Sequence, residues 1–335
     1  MTPAPDHPPI PQPKIGVLLI NLGTPNSPEP GSVKLYLKEF LSDPRVVEIP
    51  QLVWQPILRG IILNTRPKKS AHAYKQVWTE EGSPLAAITA RQARALEGAF
   101  GDGVVVDYAM RYGRPAIRER IKALKGSGCE RILIAPLYPQ YCAATTATAN
   151  DEAFAYLRTM RWQPAVRTLP PYYDDGTYID ALKRITTQEL EALDFEPQAV
   201  IASFHGMPQR TLELGDPYHC HCRKTARLLS EAMGRELIVT FQSRFGRAKW
   251  LEPATDITLA ELARGGTRKV AILAPGFSAD CLETLEELSI RGRETFMEAG
   301  GTHFAYLPCL NDSGPGIEML RSLIGRELDG WPPRP

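Results

Sequence analysis

Short apolar runs alternate with longer amphipathic stretches along almost the whole of this chain. Residues 15–21 (IGVLLIN) read as a buried strand that ends in a turn at Gly23-Thr24-Pro25. Further strands are predicted at 104–109, 131–136, 165–169, 199–204, 236–241, 269–274 and 304–307. Helical periodicity appears at 33–41, 84–100, 115–124, 143–160, 177–193, 222–233, 254–263, 282–299 and 316–328. The 115–124 segment opens on proline, which suits a first helical turn. Strands that alternate with helices imply βαβ units and parallel sheets. The pattern divides into two such sheets near residue 163, so the fold class is α/β.

A length of 335 residues agrees with roughly two domains. Residues 1–13 hold prolines 3, 5, 8, 9, 11 and 13 and no apolar signal core, and are expected to be a disordered tail. Residues 14–163 form the first lobe, residues 164–313 the second, and a final helix at 314–330 is expected to cross back onto the first. With 39 basic and 38 acidic residues the chain shows no basic excess of the kind that binds nucleic acid. Six cysteines in this length are too sparse for a disulfide scaffold and point to a reduced, cytoplasmic protein. The segment 51–63 (QLVWQPILRGIIL) is apolar but too short to span a membrane, and Pro56, Arg59 and Gly60 interrupt it.

Two strand-to-loop junctions carry candidate chemistry. One is Ile201-Ala-Ser-Phe-His-Gly-Met-Pro208, which delivers His205 at a strand end. The other runs from Ala271 through Pro275-Gly276 to Glu283, Glu286 and Glu287 at a helix start. Ligands of open α/β sheets bind where strands end in this way. A histidine and carboxylates on one cavity can move protons or hold a divalent metal. Taken singly, each has a plainer reading: a loop histidine bonded to a carbonyl, or acids that favour a helix dipole. Glu283 and Glu287 are four apart and so share a helix face.

His219-Cys220-His221-Cys222 alternates two ligand types, but this spacing is not a standard zinc finger, and reduced thiols near a helix start are the plainer reading. Arg66-Pro67-Lys68-Lys69 follows the apolar 51–63 stretch. An apolar lip beside fixed cations suits a flat, greasy ligand that bears carboxylates. Arg111-Tyr112, after the 104–109 strand, could add to that wall. Neither a G-x-G-x-x-G nor a P-loop signature is present, which argues against dinucleotide or NTP chemistry.

From about Lys14 to about Leu328 these motifs resemble the ferrochelatases, which insert Fe2+ into a porphyrin in the terminal step of haem synthesis. The matching stretches are Leu19-Ile-Asn-Leu-Gly-Thr-Pro25, Glu81-Gly-Ser-Pro-Leu85, Met110-Arg-Tyr-Gly113 and Pro136-Leu-Tyr-Pro-Gln-Tyr141. They continue in Ser203-Phe-His-Gly-Met-Pro208, Gly215-Asp-Pro-Tyr218, Thr240-Phe-Gln-Ser-Arg-Phe-Gly246 and Pro275-Gly-Phe-Ser-Ala-Asp-Cys-Leu-Glu-Thr-Leu-Glu286. The resemblance implies two Rossmann-like lobes with a porphyrin cleft between them. It implies His205 and Glu283 as catalytic residues and metal ligands, and Glu287 as the next acid on a proton or metal path. Porphyrin contacts are implied at Leu22, Arg66, Ser83, Arg111, Tyr112 and Trp250.

Cys281 departs from the family, because animal members carry a second histidine there. No cofactor is required by the resemblance, and Fe2+ is a substrate. Some members hold a two-iron, two-sulfur (2Fe-2S) cluster through other cysteine sets, and Cys142, Cys220 and Cys222 are the candidate ligands here. The expected partners are protoporphyrin IX and Fe2+, with peripheral contact to a membrane or to neighbouring haem-pathway enzymes. The rival readings are a non-catalytic tetrapyrrole carrier, a chelatase for another tetrapyrrole or metal, and a zinc hydrolase built on His205 and the 219–222 cluster. A carrier has no need of a carboxylate row beside the histidine.

Overall fold

The computed structural model describes residues 13–246 and 248–331, so the expected tail lies outside the described residues except for Pro13. The first strand shows why the chain folds as it does. In β1 (Lys14–Thr24), Ile15, Val17 and Leu19 enter one apolar core while Leu18 and Ile20 enter another. A strand buried on both faces belongs in a parallel sheet covered by helices.

The first lobe continues with α1 (Pro30–Leu41), α2 (Gln51–Ile57), a π-helical segment Leu58–Ile62, α3 (Leu63–Val77) and α4 (Pro84–Phe100). Then come β2 (Val104–Gly113), α5 (Ile117–Gly126), β3 (Cys129–Pro136), a second π-helical segment Ala143–Ala147, α6 (Thr148–Leu157) and β4 (Ala165–Thr168). The second lobe holds α7 (Gly176–Glu191), β5 (Ala199–His205), α8 (Gln209–Glu213), α9 (Tyr218–Met233), β6 (Leu237–Gln242), α10 (Thr255–Arg264) and β7 (Lys269–Leu273). A third π-helical segment, Glu283–Gly292, runs into α11 (Arg293–Glu298), and β8 (His303–Tyr306) and α12 (Gly314–Leu328) close the chain.

The strand order is β2-β1-β3-β4 in one sheet and β6-β5-β7-β8 in the other, with every pairing parallel. The two lobes therefore share one topology. In each, the order reverses beside the first strand, and that switch point is where ligands of such sheets bind. In the second sheet it lies at the ends of β5 and β7, which are the two junctions singled out from the sequence.

Two expectations are corrected. The boundary near residue 163 is too early, because β4 pairs with β3 (Ile132 opposite Val166) and completes the first sheet. A four-residue strand after a long helix carries no sign of which sheet it will join. The apolar 51–63 stretch and the basic run after it form a nearly continuous helical rod, α2 through α3, with Pro56 and Pro67 inside it. Neighbouring turns absorb both prolines, one of them just before the Leu58–Ile62 π segment. The two lobes share apolar packing. One core contains Val17 and Leu19 of β1, Leu133 of β3, Val200 and Phe204 of β5 and Leu323 of α12. Burying a side chain of Leu or Phe size contributes about 1.5–3 kcal/mol, so this shared core opposes free movement of one lobe against the other.

Helix α12 lies against α4 and β3 of the first lobe and against α7. Arg167 donates to the carbonyls of Glu327 and Asp329 and stacks on Trp331. Among the described residues no helix is long and apolar enough to cross a membrane.

Candidate active site

His205 is the last residue of β5, half-buried, and Gly206 turns the chain immediately after it. The turn depends on glycine: a Cβ at position 206 would stand 2.4 Å from the carbonyl oxygen of Gln242, which the Gly206 N–H uses at 2.7 Å. His205 Nδ1 lies 2.7 Å from the Gly206 carbonyl oxygen. A carbonyl only accepts, so Nδ1 carries the proton in that bond. The Nε2 lone pair is then the one free to take a proton or bind a metal.

The acids lie on the π-helical segment Glu283–Gly292. Runs of π-helix are rare and concentrate at functional sites. Glu286, nearly buried, is held by Arg291 at 2.9 Å. Glu287 accepts from the Ser243 N–H at 2.8 Å and the Ser243 hydroxyl at 2.5 Å, with Arg291 at 3.8 Å. Burial pushes the Glu287 carboxyl up. The Ser243 hydrogen bond, His205 and Arg291 pull it back, and the charge of Glu283 adds to the rise. His205, Glu283 and Glu287 thus lie within electrostatic reach of one another.

Glu283 has no cation as an ion-pair partner among the described residues. It lies against the Cys281 thiol, whose pKa burial raises first and the Glu283 carboxylate second. Its charge also acts on Tyr36 of α1 and Tyr74 of α3, two buried hydroxyls pushed up mainly by desolvation. Glu283 therefore sits where the lobes meet, among neutral first-lobe groups. The sequence offered no sign of Tyr36 or Tyr74 at this place: Tyr36 reads as one position of an amphipathic helix, and Tyr74 lies in a stretch for which no element was predicted.

The first-lobe wall is assembled from the end of β1 and the start of α4. Leu22 packs with Leu85, Ile88, Ala279 and Cys281, which joins the lobes beside the acids. Ser83 is buried and its carbonyl accepts the Ala87 N–H in the first turn of α4. Arg66 of α3 lies over the Phe245 ring at 4.5 Å and forms no ion pair among the described residues. Desolvation holds its guanidinium below the usual arginine range. Phe245 meets Trp250 edge-on at 5.9 Å, and the Trp250 indole N–H donates to the Phe245 carbonyl at 2.9 Å. Arg66, Phe245 and Trp250 thus bridge the mouth between the lobes.

Arg111 and Tyr112, at the end of β2, are both engaged with Asp43. Tyr112 is fully buried, and its hydroxyl donates to Asp43 at 2.8 Å. Arg111 is committed to Asp43 at 2.6 Å and to Thr148. With those residues, Arg45, Glu48 and Asp151 it lines a surface cavity of about 470 Å³. Asp43, which the motifs did not mark, holds this corner together. Burial raises its carboxyl, but hydrogen bonds from Thr148, the Arg45 N–H and Tyr112, with the Arg111 charge, take it below the usual range.

The candidate cluster cysteines are not gathered into one set. Cys142 and Cys222 are buried and Cys220 is exposed. Cys220 and Cys222 are two apart on α9, and residues so spaced on a helix do not face each other. His219 and His221 are used structurally. His219 stacks near Phe241, and His221 stacks on Tyr173 at 3.5 Å and accepts the Tyr141 N–H. Among the described residues no three His, Cys, Asp or Glu side chains are placed to hold a metal ion. His205 with one or two carboxylates leaves most of a metal's coordination to other donors, which suits an ion that is passed on to a second molecule.

The chain is similar to known proteins over nearly its whole length. A family model described as Ferrochelatase matches residues 14–328. A protein named Ferrochelatase from Rhizobium meliloti (strain 1021) is 54% identical over 333 residues, covering 97% of this chain and 98% of that protein. One of the same name from Agrobacterium fabrum is 51% identical, covering 97% of each. Among solved structures, SirB from Bacillus subtilis with Fe3+ superposes with a TM-score of 0.56 at 12% identity, covering 95% of this chain and 97% of that one. CbiX, described as the terminal enzyme for biosynthesis of sirohaem in denitrifying bacteria, gives 0.51 at 14% identity, covering 94% and 100%. At such identity these two structures bear on the fold alone.

Proposed function

The chain belongs to the ferrochelatase family, and on that premise we propose how its residues set Fe2+ into protoporphyrin IX with release of two protons. It is a metal chelatase, and the carrier alternative is not favoured. The observation that carries the mechanism is the free Nε2 of His205 within electrostatic reach of two carboxylates, one of which lacks a counter-ion.

In this reading the macrocycle enters between the lobes past Arg66, Phe245 and Trp250. A rigid cleft bends the ring and exposes the nitrogen lone pairs, which lowers the barrier to metal entry. His205 Nε2 takes a pyrrole proton. Glu283 guides the cation, an oxygen donor for a hard divalent ion, and Glu287 leads protons away. The four pyrrole nitrogens complete the iron's coordination as the two protons leave. The test is metal insertion with Fe2+, Co2+, Ni2+ and Zn2+ against protoporphyrin, coproporphyrin and sirohydrochlorin. Preferential turnover of Fe2+ with protoporphyrin is expected, and a preference for sirohydrochlorin would overturn the substrate assignment.

Arg66 reads a propionate by exchanging the Phe245 ring for a carboxylate. Arg66→Leu is expected to raise KM for the dicarboxylate porphyrin about tenfold to a hundredfold, the value of one charged hydrogen bond. A porphyrin with esterified propionates should be affected much less. Equal losses for acid and ester would show that Arg66 does not read the carboxylate.

The chain is further proposed to act in the cytoplasm, at a membrane surface. Leu52 and Ile61 are 93% and 58% exposed on the α2 rod, beside exposed Val53 and Ile57. Residues 49–79 contain Arg59, Arg66, Lys68, Lys69 and Lys75 and no acid. Such a surface suits anionic lipid. Co-sedimentation with vesicles containing anionic lipid, weakened by Leu52→Ser with Ile61→Ser, is expected. Equal sedimentation of the double variant would remove this part of the reading.

A further inference from the structure

The last residue of β6 and the one after it hold three parts of the site at once. The Gln242 carbonyl accepts the Gly206 N–H beside His205. The Gln242 side-chain amide donates to the Glu283 carbonyl at 2.8 Å, and its oxygen accepts from Ser203 at 2.8 Å. Ser203 in turn meets Thr255 at 2.8 Å, and Thr255 reaches Thr240 at 2.9 Å. This buried chain of hydroxyls fixes which way the Gln242 amide points. Ser243 then adopts φ +64°, a conformation uncommon for a residue other than glycine, asparagine or aspartate. Such strain persists where the surroundings over-determine it, and it clusters at functional sites. Its result here is that both the N–H and the hydroxyl of Ser243 point at the Glu287 carboxylate.

We propose that Ser243, braced by Gln242, is a positioning residue that keeps the Glu287 carboxylate turned toward the reacting centre. Glu287 has an alternative partner in Arg291. Arg291 already holds Glu286 and stands 3.8 Å from Glu287. Without the two Ser243 donors, Glu287 would swing onto Arg291 and the acid row would close into a surface ion-pair cluster. Ser243 therefore keeps the working acid at 3.8 Å from Arg291 instead of in direct contact with it. Both residues lie in the Thr240-Phe-Gln-Ser-Arg-Phe-Gly246 stretch, where nothing in a Gln-Ser pair signals a left-handed backbone.

This inference rests on the proposed role of Glu287, and the test separates the two. Ser243→Gly keeps the N–H, deletes the hydroxyl and adopts a positive φ without strain. A residue with a structural role alone should then lose nothing. The proposal expects kcat to fall about tenfold to a hundredfold, the loss of one hydrogen bond to a charged group. The porphyrin KM should stay within about twofold, as when an interaction outside substrate binding is removed. Melting temperature should hold within about 4 °C. In a Glu287→Gln background, Ser243→Gly should have little further effect, because there is no carboxylate left to orient. An impaired Glu287→Gln with a fully active Ser243→Gly, or losses that multiply in the double variant, overturns the inference and leaves the reading intact. A fully active Glu287→Gln overturns both.

Discussion

His205→Ala is expected to abolish Fe2+ insertion while the protein folds and still binds porphyrin. The imidazole is half-buried at the strand end, and its Nδ1 bond to the adjacent Gly206 carbonyl is local, so its loss leaves the β5–β6 and β5–β7 pairings in place. The chemistry is lost because Nε2 is the free lone pair. A positioned base contributes about 10²–10⁴-fold, and a group that also receives the metal adds to that. The expected result is therefore a fall in kcat of at least about a thousandfold, some 4 kcal/mol of transition-state stabilisation. Porphyrin affinity, read by fluorescence quenching, should move by less than about twofold, because in the proposed site binding rests on apolar contact and on Arg66. His205→Gln tests the same atom by a second route, since its amide fills the space without supplying a base. Turnover above about a tenth of wild type in either variant would move the base to another residue.

Much of this architecture was legible in the sequence, for physical reasons that also mark where legibility stopped. Strands such as 15–21 and 199–204 are short, continuous and apolar because both faces are buried, and that pattern survives any tertiary context. The two junctions were legible because Gly206 and Pro275-Gly276 punctuate strand ends at a sheet's switch point. What the chain did not reveal depends on contacts between distant elements. β4 could not be assigned to a sheet, because membership is decided by pairing with β3. The rod from α2 to α3 was hidden by Pro56, Gly60 and Pro67, which local rules treat as breakers. Its exposed apolar residues also give no inward stripe. The π-helical form of Glu283–Gly292 has no pattern of its own, since residues four apart share a side in either helix type. Tyr112 is fully buried and bonded to Asp43, a residue that no motif marked.

Glu283→Gln is expected to lower the rate of insertion about a hundredfold or more without loss of stability. Three acids share the π-helical segment, and two of them have a nearby cation: Glu286 is gripped by Arg291, and Glu287 lies 3.8 Å from the same side chain. Glu283 has none among the described residues and faces thiol and phenol groups at the lobe junction. An unpaired, half-buried carboxylate costs folding energy. Such a cost persists where function needs the charge, here for a cation that arrives during turnover. Glutamine has nearly the same shape and keeps the packing against Cys281, so the substitution removes charge and little else. Loss of that charge should raise KM for Fe2+ and lower kcat together, while porphyrin binding stays within about twofold. The melting temperature should stay level or rise by about 2–4 °C, the shift that roughly 1 kcal/mol gives in a chain of this size. Activity and stability moving in opposite directions is the signature of a charge held in place for its ligand. If the variant instead melts several degrees lower and its rate falls only in proportion, Glu283 is a structural acid and the metal is delivered by another group.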